Sequence, residues 1–86
     1  MIELIYAPRF VRQLKRFPKE LQEEAFQKIG LFKSTKNHSV LKVHKLHGKF
    51  SKSYGFSVNY KIRIVFDYIS KTEVALLSIG DHDIYN

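Results

Sequence analysis

An α+β domain of order β-α-α-β-β-β, with a helical hairpin packed on one face of a small, mainly antiparallel sheet, is predicted by three features of the sequence. A short apolar segment opens it, and two stretches of helical periodicity follow, divided by Pro18. From residue 50 onward the apolar residues change to a period of two, the spacing of strands.

Residues 2 to 6, Ile-Glu-Leu-Ile-Tyr, are apolar, partly β-branched and halted by Pro8, which predicts a first strand. Pro8 suits the first turn of a helix. In that helix Phe10, Val11, Leu14 and Phe17 recur at helical spacing, while Arg9, Arg12, Lys15 and Arg16 take the other face. Pro18 stops it and opens the next, where Leu21, Ala25, Ile29 and Phe32 form an apolar stripe against Glu20, Glu23, Glu24 and Lys28. Residues 34 to 49 keep no period and are rich in polar and turn-forming types, so a basic connecting loop is expected there.

In the second half, Phe50, Tyr54, Phe56 and Val58 fall on one face of a strand, with Ser53, Gly55, Ser57 and Asn59 on the other. The next strand turns Ile62, Ile64, Phe66 and Tyr68 inward and Lys61, Arg63, Val65 and Asp67 outward. Ser70 to Glu73 read as a hairpin turn. Val74 to Ile79 is a continuous apolar run, the mark of a central or doubly covered strand. Gly80 should end it, leaving Asp81 to Asn86 as a short polar tail.

The 86 residues hold one modest core, and a single domain over residues 1–86 is expected. Seven Phe and five Tyr in a chain that is 44% hydrophobic argue against disorder. Cysteine is absent, so neither disulfides nor thiolate metal sites are available. The segment MIELIYAPRF lacks a basic region followed by a long apolar stretch, and no run approaches the roughly 20 apolar residues of a membrane span. A cytoplasmic protein with no membrane partner is the expectation.

The net charge of +7 is unevenly placed. No acidic residue lies between Glu24 and Asp67, a span that holds eight lysines, Arg63 and the histidines His38, His44 and His47. A field of one sign over half the chain attracts polyanions, which points to nucleic acid, a ribosome surface or an acidic protein segment. A merely solubilising surface accounts for the composition equally well.

Four segments taken together resemble the RelE/ParE toxin superfamily: Lys45-Leu46-His47-Gly48, Tyr54 to Tyr60, Arg63-Ile64-Val65-Phe66, and Ile79 to Tyr85. Phe10 to Leu21 is similar to the helical hairpin of that family, so the resemblance spans nearly the whole chain. It implies a toxin of a type II toxin-antitoxin system, paired with a cognate antitoxin protein encoded beside it. Members of the branch with RelE and YafQ cut mRNA on the ribosome without a cofactor, whereas ParE-like members inhibit DNA gyrase. A degenerate toxin that only binds its antitoxin is a third alternative.

By position, Arg63 matches the arginine with which RNA-cleaving members hold the scissile phosphate. His82 stands where YafQ-like members have a catalytic histidine, Tyr85 matches a near-terminal aromatic that orients substrate, and His44 resembles the loop histidine of the YafQ-like group. Lys61, Lys45, Lys49 and Lys52 are the expected contacts to the RNA backbone. Where the first RelE strand carries two catalytic lysines, this chain has Gly55 and Ser57, so the RelE mechanism does not carry over unchanged.

Metal-free RNA cleavage needs a base for the 2′-hydroxyl, an acid for the leaving 5′-oxygen and a cation on the phosphorane. Imidazole can fill the first two roles near neutral pH, and a guanidinium fork fits the third. Each residue also has a plainer reading. His82 lies in a tail, Arg63 suits a solvated strand position, and Tyr85 suits an aromatic plug at the sheet edge. Zinc binding is not expected, since the histidines have no cysteine partners and no helical H-x-x-x-H spacing.

Overall fold

The computed structural model describes residues 1–48 and 52–81. Its elements are β1 (Glu3–Tyr6), α1 (Pro8–Lys15), α2 (Lys19–Phe32), a single 3-10 turn (Thr35–Asn37), β2 (His44–Lys45), β3 (Tyr54–Ser57), β4 (Ile62–Tyr68) and β5 (Glu73–Asp81). The strands form one sheet in the order β1-β5-β4-β3-β2. β1 runs parallel to β5, and every other pairing is antiparallel.

Both helices start at proline, as its fixed φ allows. Pro8 occupies the first turn of α1, and Pro18 precedes α2. The hairpin lays Phe10 and Leu14 of α1 and Ala25, Ile29 and Phe32 of α2 onto one sheet face, against Phe56, Ile64, Phe66, Leu76 and Ile79. Phe32 is at the centre, stacked on Phe56 with ring centroids 4.5 Å apart and meeting Phe66 edge-on at 4.8 Å. His38 closes the end of α2: its Nε2 donates to the Phe32 carbonyl at 2.8 Å while its ring stacks on the Phe32 ring.

The connecting loop differs from the sequence expectation. It contains the 3-10 turn and the two-residue strand β2, which is too short to leave any periodicity in sequence. Beyond β2 the edge of β3 continues onto this loop, because the Ser57 amide donates to the Leu41 carbonyl at 2.9 Å. The strand expected from Phe50 begins at Tyr54 among the described residues, and Phe50 itself lies outside them.

β5 is an interior strand, between β1 and β4, in keeping with its apolar run, and it does not end at Gly80 as expected but continues to Asp81. Val65 pairs with Ser78 but Phe66 pairs with Leu76, so Leu77 is one residue too many and makes a bulge. The bulge shifts side-chain parity, which lets Val74, Leu76 and Ile79 all reach the same core. Val65 points to the face away from the helices, as read, yet is only 1% exposed. Alternation fixes its direction, but burial depends on what lies over the face. No helix among the described residues is long and apolar enough to cross a membrane.

Candidate active site

The turn joining β3 to β4 is built around Asn59. Its side-chain oxygen accepts the amides of Lys61 (2.9 Å) and Ile62 (2.8 Å), and its Nδ2 donates to Glu24 Oε1 at 2.8 Å. An asparagine bonding its own backbone in this way fixes a turn that the strands alone would leave loose. Two cations cap the outward carbonyls. Lys28 Nζ donates to the Val58 carbonyl at 2.9 Å, and Arg63 Nη1 donates to the carbonyls of Asn59 and Ile62. Both arginine bonds leave from Nη1.

Strand register places Arg63 opposite Ser57 and Gly80, and Gly55 opposite Val65 on one side and His44 on the other. Because facing residues share a side of the sheet, Arg63, Ser57, Gly55 and His44 all lie on the face away from the helices. His44 and Arg63 are two strands and two residues apart, about 12 Å between Cα atoms from the usual strand spacing and rise.

His44 is exposed, and its ring is oriented from behind. Nδ1 lies 2.7 Å from the Lys42 carbonyl. A carbonyl only accepts, so the proton is on Nδ1, and in the neutral ring the basic lone pair falls on Nε2. Lys42 presents that carbonyl from a left-handed backbone conformation, φ 60°, which costs a residue with a Cβ roughly 1–2 kcal/mol. Such a cost is tolerated where the surroundings hold the chain in place, here through the Ser39, His38 and Leu41 carbonyls that accept from the Lys42, Val43 and Ser57 amides.

The lysines named from sequence are dispersed. Lys45 is exposed beside His44 on the edge strand, paired with Tyr54 and so directed to the opposite side of the sheet. Lys52 is exposed in the turn before β3. Lys61 lies in the β3–β4 turn and lines a groove with Phe17, Leu21, Ile62 and Asp81 on the helical side, so it does not stand beside Arg63. Lys49, His82 and Tyr85 lie outside the described residues.

On the other side of the same turn is a second cleft, which sequence reasoning missed. Lys28, Leu31, Lys42, Ser57, Tyr60 and Arg63 line it, and among the described residues no acidic one does. Lys28 reads in sequence only as the polar face of α2, and Lys42 only as one lysine among many, because the cleft joins three elements that no spacing relates. Tyr60, at the tip of the turn, is 89% exposed and borders both grooves. Among the described residues no group of three or more His, Asp or Glu side chains is placed to hold a metal ion.

Such an arrangement offers a guanidinium, a tautomer-fixed imidazole and a run of cations around a small-residue surface, which suits a phosphodiester. No known family profile matches the sequence, and no curated protein does. Among solved structures, 18 chains match. One is in the YoeB–YefM complex of Staphylococcus aureus, with 15% identity over 95% of this chain and 98% of that one and a TM-score of 0.73. Another is in the RelBE2 toxin-antitoxin complex of Mycobacterium tuberculosis, with 11% identity over 94% and 98% and a TM-score of 0.72. YafQ of Escherichia coli matches with 11% identity over 98% and 97% and a TM-score of 0.70.

Proposed function

We propose, from a fold that this chain shares with the RelE/ParE toxin superfamily, that it is the toxin of a type II toxin-antitoxin system and cuts mRNA on the ribosome. The observation that carries the proposal is the register that sets Arg63 and His44 on one sheet face with Gly55 and Ser57 between them. Its partner when idle is an antitoxin protein, as in the YoeB–YefM and RelBE2 toxin-antitoxin complexes.

In this reading Arg63 binds the scissile phosphate and stabilises the phosphorane, using the edge of its fork away from Nη1. A group in that role is typically worth about 2.7–4 kcal/mol. His44, whose lone pair is on Nε2, and His82 divide the proton transfers, each worth roughly 10²- to 10⁴-fold. Tyr85 orients the substrate, and Lys49 and Lys52 hold its backbone, whereas Lys45 and Lys61 are directed away from the Arg63 face and take no part in it. No metal takes part, and the work is done in the cytoplasm.

Expression of the chain, with mRNA ends mapped by primer extension and DNA supercoiling assayed in parallel, tests this. The expected result is cleavage of ribosome-bound mRNA with gyrase unaffected, lost in Arg63→Ala and in His82→Ala while antitoxin binding persists. Gyrase inhibition with intact mRNA would replace the nuclease by the ParE-like activity.

A further inference from the structure

Tyr60 projects from the tip of the β3–β4 turn almost fully exposed, beside a cleft that gathers, among the described residues, three cations and no carboxylate. We infer that this cleft, formed by Lys28, Lys42 and Arg63 with Tyr60 as its aromatic wall, is a binding subsite for one nucleotide of single-stranded RNA, its phosphate between the cations and its base stacked on Tyr60. The inference rests on the nuclease reading, from which it takes RNA as the ligand and with which it shares Arg63, while Lys28, Lys42 and Tyr60 are its own.

Lys28 and Arg63 are tethered to the carbonyls of Val58 and Asn59, which are neighbours in one turn. Both side chains line the same cleft, so the two cationic heads border one small volume. Like charges fixed so closely repel, and an anion between them reverses the sign of the interaction. One carbonyl uses one of the three donors of an ammonium, and both bonds of Arg63 leave from Nη1, so each head keeps donors for phosphate oxygens. Lys42 also lines the cleft.

Tyr60 supplies what a simple anion site lacks. An exposed aromatic ring next to clustered cations is the pattern that binds unpaired bases, because every base presents a π-face and every nucleotide a phosphate. A double helix would hide the base face, which favours a single strand. An acidic peptide would satisfy the cations but would leave no reason for the ring to stand clear of the apolar core.

Tyr60 and Lys42 are the clean probes, since neither side chain contributes to the hydrophobic core and both are exposed. The measurement is fluorescence anisotropy with a labelled single-stranded RNA of about ten nucleotides, fully 2′-O-methylated so that it cannot be cut, across a salt series. Tyr60→Ala should weaken binding about 5- to 100-fold with its melting temperature unchanged. Lys42→Gln should weaken it and flatten the slope of log affinity against log salt by about 0.7, the value for one phosphate contact on a single strand. Wild-type affinity in both folded variants, or no measurable binding by wild type, would overturn the subsite. So would a glutamate-rich peptide whose binding falls in both variants while RNA affinity holds, since that assigns the cleft to a protein. The nuclease reading fails separately: intact mRNA in cells sinks it even where the uncleavable RNA binds as expected.

Discussion

Arg63 is half-buried and serves two ends at once, since the guanidinium proposed to meet phosphate also ties down the β3–β4 turn. Its removal therefore has a structural cost that its neighbour shows by contrast. Arg63→Ala withdraws the donor from two carbonyls and should lower stability by about 1–3 kcal/mol while leaving a folded domain. Ile64→Asp sets a carboxylate into a site with 0% exposure and should abolish folding. Thermal melts followed by circular dichroism separate the two, and a Arg63→Ala chain that failed to fold would mean that the arginine is a core strut first. Tyr68 carries a different residue-scale expectation. Burial, and secondarily the neighbouring Tyr54, raise its phenol above the ordinary value of 10.0, and burial does the same for Tyr6. A raised folded-state value favours the neutral form, so the stabilisation is complete below about pH 10 and is lost as pH climbs through the folded value. Melting temperature should fall as pH rises above about 10, and Tyr68→Phe should flatten part of that fall.

At the scale of elements, β5 is longer than the strand beside it. β1 stops at Tyr6, opposite Leu76, so beyond Leu76 that edge of β5 has no strand to pair with among the described residues. Gln13 of α1 fills the gap, its Oε1 accepting the Ile79 amide at 2.9 Å. Ile79 is 2% exposed, and an amide left without a partner there costs about 1–3 kcal/mol. Gln13→Ala should thus lower the melting temperature by several degrees, whereas Gln13→Glu, which keeps an acceptor, should restore most of it; equal loss in both would mean that the bond contributes nothing. The helices and long strands were legible in sequence because each shows enough of its period, as Leu21, Ala25, Ile29 and Phe32 do along α2. The Leu77 bulge was not, since a continuous apolar run hides a change of parity, and neither was Gln13, whose partner is 66 residues away.

For the whole molecule, the sequence showed that positive charge dominates the middle of the chain but not where folding would put it. Register brings His44 and Arg63 to one face, which alternation could indicate for Arg63 alone. Lys61 and Arg63 share a strand parity in sequence and are parted by the turn at Asn59, so alternation failed where the backbone ceases to be a strand. With a net charge of +7, the complex with the proposed antitoxin should draw on long-range attraction, and its dissociation constant should rise steeply with added salt. Titration calorimetry at low and high ionic strength checks this, and an affinity indifferent to salt would count against an acidic partner. The pairing of β1 with β5 has one more consequence, for the order in which the protein can come into being. β5 is the last of the five strands to be synthesised, yet both β1 and β4 depend on it for hydrogen bonds, and Glu3 finds its partner only at Glu73. Closing so long a loop is slow relative to local pairing, and until β5 emerges the first strand has nowhere to dock. A growing chain interrupted before Glu73 lacks the strand that joins β1 to β4, so translation must run almost through the described residues before the folded domain can exist.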